Sequence, residues 1–166
     1  IRVKVSSVKN VRNYTPMHAD SPMYAACAAG HLDVAKWLFE MGAADDVRTK
    51  DRLGWTPMFA VCIAGHLDVA RWLFKVGAAE DIRTKESQGS TPMFGACQGN
   101  CLHVAQWLFT VGAADDVRTT DAYGFTPMHA ACQGRCFGVA KWLLGAGAAE
   151  NVRATDCNDC TPLWVA

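Results

Sequence analysis

Nothing in this 166-residue chain has the spacing of a catalytic motif. It contains no Gly-rich phosphate loop, no His-Glu-x-x-His pair and no nucleophile elbow. Its five histidines fall in no arrangement suited to proton transfer. These gaps leave no basis for expecting an enzyme or a cofactor. Charge of a dominant sign is also missing. Sixteen basic residues cancel sixteen acidic ones, which argues against nucleic acid or anionic lipid as the main partner. No apolar run is long enough to cross a bilayer, so membrane insertion is not expected. No signal peptide is visible, but the first residue is Ile1 rather than methionine, so a processed leader stays open. The last phrase stops at Ala166 inside a repeated motif, and a portion of a longer protein is expected.

What the chain does have is repetition. Proline is scarce, at six residues, and its placement is regular. Thr/Ser-Pro occurs at 21-22, 56-57, 91-92, 126-127 and 161-162, a period of 35 residues. The phrase "GWTPMFAVCIAGHLDVARWLF" at 54–74 recurs in four near-copies, with a fifth, "CTPLWVA", begun at Cys160. A period of this size marks a solenoid, whose units bury apolar surface only against their neighbours. The units run at about 21–50, 51–85, 86–120 and 121–155, with a partial one at 156–166. Residues 1–20 form a degenerate finger or cap. The apolar fraction of 51% is high for a thin solenoid, and two readings stay open. Some of this surface serves a partner, or abundant alanine inflates the count.

In the copy that starts at Asp51, Thr56 is suited to cap a helix and Pro57 to its first position. A helix is expected over Pro57 to Ala64, ended by Gly65 in a left-handed conformation. A second helix should begin near His66, with Asp68, Arg71 and Lys75 on one polar face. Gly77 stops it, as Gly42, Gly112 and Gly147 do elsewhere. The polar stretch "AAEDIRTKESQGS" reads as an extended hairpin or loop. These residues resemble the ankyrin repeat: "D-x-x-G-x-T-P-M", then "A-C-x-x-G-H-L-D-V-A-x-W-L-F", then "x-x-G-A". The likeness covers nearly the whole chain from about residue 20. It implies an all-α repeat stack of helix-turn-helix units joined by projecting hairpin-like fingers. The family period is about 33, so the 35-residue form here, similar to arrays of algae and other protists, implies a longer finger. Asn100 and Arg135 replace the glycine between helices, and Asp159 the turn glycine of the last finger.

Three columns recur at the repeat spacing. Cys27, Cys62, Cys97 and Cys132 read as buried small side chains rather than ligands. Cys157 and Cys160 form a lone C-x-x-C, weak as a metal or redox signal without a second pair. Eight cysteines in an array that needs no staples suggest an intracellular, reducing compartment. Trp37, Trp72, Trp107 and Trp142 read as core packing rather than a ligand platform, with Trp72 expected buried between helices. Arg12, Arg48, Arg83, Arg118 and Arg153 form the third column; acidic neighbours precede all of them but Arg12, and they read as a balanced ladder in preference to a stripe for acidic partners.

The resemblance implies a partner met by finger tips and the outer side of the first helix of each unit, and His129 of "TPMH" bonded to nearby backbone. Positions that vary between matching copies are candidates for contact. They are Arg52, Leu53, Trp55, Ile63, Gln88, Gln98, Tyr123, Phe125 and Gln133, a row with the aromatic enrichment of an interface. The expected function is protein binding or scaffolding. Two alternatives are a structural subunit embedded in a membrane or cytoskeletal assembly, and a regulatory array of a larger multidomain protein.

Overall fold

The computed structural model describes residues 21–164. Within them lie eight α-helices in four pairs: α1 Pro22–Ala28 and α2 Leu32–Glu40, α3 Pro57–Ala64 and α4 Leu67–Lys75, α5 Pro92–Gln98 and α6 Leu102–Thr110, α7 Pro127–Gln133 and α8 Phe137–Leu143. No strand occurs among the described residues. The degenerate segment at 1–20, with Arg12, lies outside them.

Each pair begins in the same way. The side-chain oxygens of Ser21, Thr56, Thr91 and Thr126 accept the backbone N–H three residues on, at 3.1 to 3.4 Å. Proline follows at the first helical position, where a missing donor has no consequence. The turn between helices needs one residue at positive φ. Gly30 and Gly65 supply it in the first two units, and Asn100 (φ 60°) and Arg135 (φ 57°) in the last two. A second change accompanies the first. Ala29 and Ala64 precede the glycines, whereas Gly99 and Gly134 precede Asn100 and Arg135. Gly99 has an ordinary φ, but a Cβ there would overlap the carbonyl oxygen of Ile63 in the preceding unit. The glycine has therefore moved from the strained backbone position to the crowded one.

The stretch after each second helix differs from the extended hairpin expected of it. Its first part coils into a 3-10 turn, at Ala44–Arg48, Ala79–Arg83, Ala114–Arg118 and Ala149–Arg153. The reason lies in the apolar residues it carries. Val47, Ile82 and Val117 are buried, and a tight coil points them back at the stack, with Asp81 and Asp116 buried beside them, while Asp45, Glu80, Asp115 and the arginines face outward. Only the remainder projects as a finger. The second helix of the last unit is two residues shorter than its counterparts. Gly145 stands where Glu40, Lys75 and Thr110 stand, and glycine weakens the final turn, which becomes a π-type turn over Leu144–Ala148.

The first helices carry the stack. α1, α3, α5 and α7 pack directly on one another in sequence, through Ala60, Gly95, Ala96, Ala130 and Ala131. Gly95 of α5 faces the side chains of Ile63 and Phe59, and a Cβ there would meet them only at ordinary contact distance. Methionines 23, 58, 93 and 128 fill the interior at the equivalent place in each unit. The second helices stand behind this row. Their tryptophans bridge the gap: Phe39 meets Trp72, Phe74 meets Trp107 and Phe109 meets Trp142, all edge to face at 5.7 to 5.8 Å. Trp72, Trp107 and Trp142 pack on the core with one edge in solvent, and Trp37 is 53% exposed. Trp72 is thus not buried between helices. It sits over the outer seam, because its column faces the neighbouring second helix rather than the unit's own first helix.

Two substitutions test this account. Gly99→Ala should destabilise the array by about 1–3 kcal/mol through the clash with Ile63. Arg135→Gly should raise the melting temperature, since it removes left-handed strain of about 1 kcal/mol. Thermal melts of both variants check the pair. A Gly99→Ala variant as stable as the parent would contradict the close approach.

Candidate functional site

The fingers owe their shape to one acid each. Asp51 Oδ1 accepts the backbone N–H of Leu53 and of Trp55, at 2.9 and 2.8 Å. Glu86 holds Gln88 and Ser90 in the same manner, Asp121 holds Tyr123 and Phe125, and Asp156 holds Asn158 and Cys160. A carboxylate accepting two amides fixes the loop without any strand pairing. The left-handed turn position is Gly54, Gly89, Gly124 or Asp159. One backbone bond then ties each finger to the one before it: Ser87 N–H to Leu53 O, Ala122 N–H to Gln88 O, and Cys157 N–H to Tyr123 O, at 2.8 to 3.1 Å. The tips form a rigid row whose side chains are free to vary. Asp opens the "D-x-x-G-x-T-P-M" phrase in the sequence, where it has no assigned role. The signal of all four acids was present, since each stands five residues before a Thr-Pro.

The candidate contact residues divide into three groups. Arg52, Leu53, Gln88 and Tyr123 are exposed along the row of tips, with Leu53 at 50% and Tyr123 at 49%. Gln98 and Gln133 are exposed at the ends of α5 and α7, on the adjoining edge. Trp55 and Phe125 are half-buried. Trp55 lies 4.7 Å from Phe59 and packs against Tyr24, Ala28 and Ala60, and Phe125 meets the His129 ring edge-on at 5.3 Å. They support the tips and leave one face open. Ile63 is a correction. It is 7% exposed and packs toward α5 beside Gly95. An isoleucine between two directly packed helices belongs to the core.

His129 is fully buried and bonded at both ring nitrogens. The Thr126 N–H donates to Nδ1 at 3.1 Å, so Nε2 carries the proton and donates to the Cys160 carbonyl at 3.2 Å. This links the last full unit to the following finger. In the other units Tyr24, Phe59 and Phe94 take the same place; the Tyr24 hydroxyl donates to Asp51 Oδ2 of the following finger at 3.2 Å, whereas Phe59 and Phe94 pack instead.

The cysteine column is buried at Cys27, Cys62 and Cys97, but Cys132 is only half-buried. Among the described residues no group of three or more His, Cys, Asp or Glu could hold a metal ion. Burial pushes the Cys27 thiol up to about 12, and Cys101 to about 11, with Cys136 nearby adding to the latter. The arginine column is a ladder between units, as its acidic neighbours suggested. Arg48 grips Asp81 through Nε and a terminal nitrogen, at 3.1 to 3.3 Å, and also reaches Glu80 at 3.2 Å. Arg83 grips Asp116 at 3.0 Å. Both aspartates are almost fully buried.

Four in-register units with capped proline starts, left-handed helix connections and projecting fingers agree with a match to a family model. The model for ankyrin repeats matches three times, over residues 5–86, 22–121 and 77–156. The chain belongs to the ankyrin repeat family. Ankyrin repeats are in general protein-interaction modules and typically not enzymes. Comparison with curated proteins gives no match. No helix among the described residues is long and apolar enough to cross a membrane.

Two outcomes are expected of this ankyrin array. Ile63→Ala should cost about 2–4 kcal/mol of stability, as a core truncation does, while Tyr123→Ala should cost less than about 0.5 kcal/mol. Chemical denaturation of each variant measures the contrast. The buried thiols should also make the array sensitive to alkali. Their folded pKa values lie above the 9.0 of an unperturbed thiol. Unfolding lets them ionise, so their contribution is complete below pH 9 and is lost as pH rises through 9 toward 11–12. Melting temperature against pH should fall over that window, and less steeply when Cys27, Cys62 and Cys97 are all alanine. An equal fall in both proteins would remove the thiols from the explanation.

Proposed function

We propose that this ankyrin array binds a protein partner through its finger tips and the adjoining ends of the first helices. The observation that carries the reading is the contrast between scaffold and tip. Capping hydroxyls, prolines, methionines and turn acids recur in every unit, whereas positions 52–53, 87–88 and 122–123 change from copy to copy on an identical rigid frame. Leu53 and Tyr123 present apolar and aromatic surface there, separated by Gln88, and aromatic side chains on rigid supports are effective interface anchors. Because the backbone under them is already fixed by Asp51, Glu86 and Asp121, little ordering remains to be done on association. The eight free thiols favour a reducing compartment as the place of action.

A photo-crosslinking amino acid placed at position 123, at 88 and at 71 tests the surface inside the native host. Position 71 lies on the exposed face of α4, behind the stack. Protein adducts should form from 123 and 88 and be lost when Leu53 is also changed to serine. Adducts from position 71 alone would place the partner on the opposite face.

A further inference from the structure

The last finger carries cysteine at both ends of its turn. Cys157 and Cys160 stand where the first three fingers have Arg52 and Trp55, Ser87 and Ser90, and Ala122 and Phe125. No other finger holds a thiol at either place. Of the eight cysteines, Cys157 is the exposed one, Cys160 is half-buried, and five of the rest are buried. The exposure belongs to the position in the turn, because Arg52 and Ala122 are exposed there too, in fingers that another finger follows. The turn is closed twice. Asp159, at φ 59°, bends the chain back and donates its N–H to the Asp156 carbonyl at 3.1 Å, and the Asp156 N–H donates to the Cys160 carbonyl at 3.0 Å. Two outside bonds hold this frame: Cys157 N–H to Tyr123 O at 2.8 Å, and His129 Nε2 to Cys160 O at 3.2 Å. Neither sulfur takes part in them. The Cys160 thiol makes one weak contact, to the Asn158 carbonyl at 3.6 Å, and turns away from it at little cost. Two cysteines three residues apart around a closed turn suit a disulfide, which spans α-carbons about 4–7 Å apart.

We propose that Cys157 and Cys160 are a thiol-modification site, where a small soluble disulfide such as that of glutathione oxidises the pair to a bridge across the last finger. The site is independent of the protein-binding reading. In the first step the Cys157 thiolate, its proton lost to solvent, attacks one sulfur of the small disulfide. That S–S bond breaks, and one small thiol leaves as its thiolate and takes up a proton. In the second step the Cys160 thiolate attacks the Cys157 sulfur of the mixed disulfide and expels the other small thiol. The protein has lost two hydrogens and two electrons, and the small disulfide has become two thiols. Exposure makes Cys157 the entry point. Partial loss of solvent, and then the charges of Asp156, Asp159 and Cys157, raise the Cys160 thiol above its usual pKa, which leaves the first attack to Cys157. The column of Cys27, Cys62 and Cys97 is out of reach of the oxidant because it is buried. In a reducing compartment the pair rests as thiols, and it closes when the balance of small thiols and disulfides turns oxidising.

The folded, reduced 166-residue chain, incubated with glutathione disulfide at neutral pH, quenched with acid and cleaved after Arg153, tests the site by mass spectrometry. The peptide from Ala154 to Ala166 should have lost two hydrogens, carry no glutathione, and return to its starting mass with dithiothreitol. Cys160→Ser should instead leave glutathione on Cys157, at least about tenfold more than in the parent, because the second thiol acts intramolecularly. Cys157→Ser should slow modification of the finger about tenfold, since the less accessible thiol must then react first. Serine stands at both places in the second finger, as Ser87 and Ser90, so both variants should fold, and circular dichroism verifies it. Cys27, Cys62 and Cys97 should stay unmodified until denaturant is added. The proposal is overturned if the finger peptide is not modified, or if the parent accumulates glutathione on Cys157 without a bridge. It is also overturned if the bridge joins two chains, or if Cys27, Cys62 and Cys97 are oxidised as fast as the finger.

Discussion

The structure depends on how closely successive first helices can approach. A unit of 35 residues encloses no core of its own, and its methionine, alanine and cysteine side chains become buried only when the next unit is laid on them. Direct packing of α1, α3, α5 and α7 needs small residues at the seam, and alanine and glycine supply them. Everything else adjusts to this spacing. The second helices stand further apart and are joined by large aromatic rings. The 3-10 turns are linked by long arginines reaching short aspartates, and the fingers by a single backbone bond each. Contact therefore becomes sparser from the inner helices to the tips, and the freedom of the sequence to vary increases along the same line.

The turn between helices shows how tightly that spacing binds two positions together. The first two units place glycine at the left-handed residue and alanine before it. The last two place asparagine or arginine at the left-handed residue and glycine before it. Conformation and close approach are separate demands, and the backbone of the preceding unit imposes the second. In α5 the residue that imposes it is Ile63, whose carbonyl lies over Gly99. That contact is also why Ile63, a variable apolar residue at the end of a helix, is not an interface residue.

Much of this was legible from spacing alone. The boundaries of α3, the start of α4, the left-handed Gly65 and the family itself follow from Thr-Pro, Gly-His and a constant period. What was not legible depended on the direction in which a repeated residue faces. A tryptophan at every 35th position has one orientation in all units, and periodicity does not say whether that is toward its own partner helix or its neighbour's. The stretch after the second helix was misjudged for a related reason. Its polar residues suggested a loop, while in the first three copies the single Val or Ile returns to the core within a tight coil, a turn that the fourth copy keeps although its Val152 is exposed. At the candidate site the exposed residues of the tips were recognisable by their variability. The acids that hold them stand first in the "D-x-x-G-x-T-P-M" phrase, but they hardly vary, and invariance reads as scaffold without saying what is held.

The same logic separates the two halves of the arginine column. Within a repeat array, a residue that recurs is explained by the contact it repeats, and Arg48 and Arg83 repeat theirs. Arg118 keeps the residue and lacks the contact, since the change lies one unit away, at Asn151. An exposed arginine here is thus not a surface charge like Arg71. It is half of an inter-unit bond whose other half has been replaced by the neutral amide of Asn151, which donates to the Val117 carbonyl instead. Because the bond joins surfaces rather than closing a core, its absence leaves the stack intact, with α7 still packed on α5 and Val117 still buried. The solenoid accommodates the loss of that one pair because the apolar contacts of the inner helices, rather than the charges outside them, close the seam between the third and fourth units.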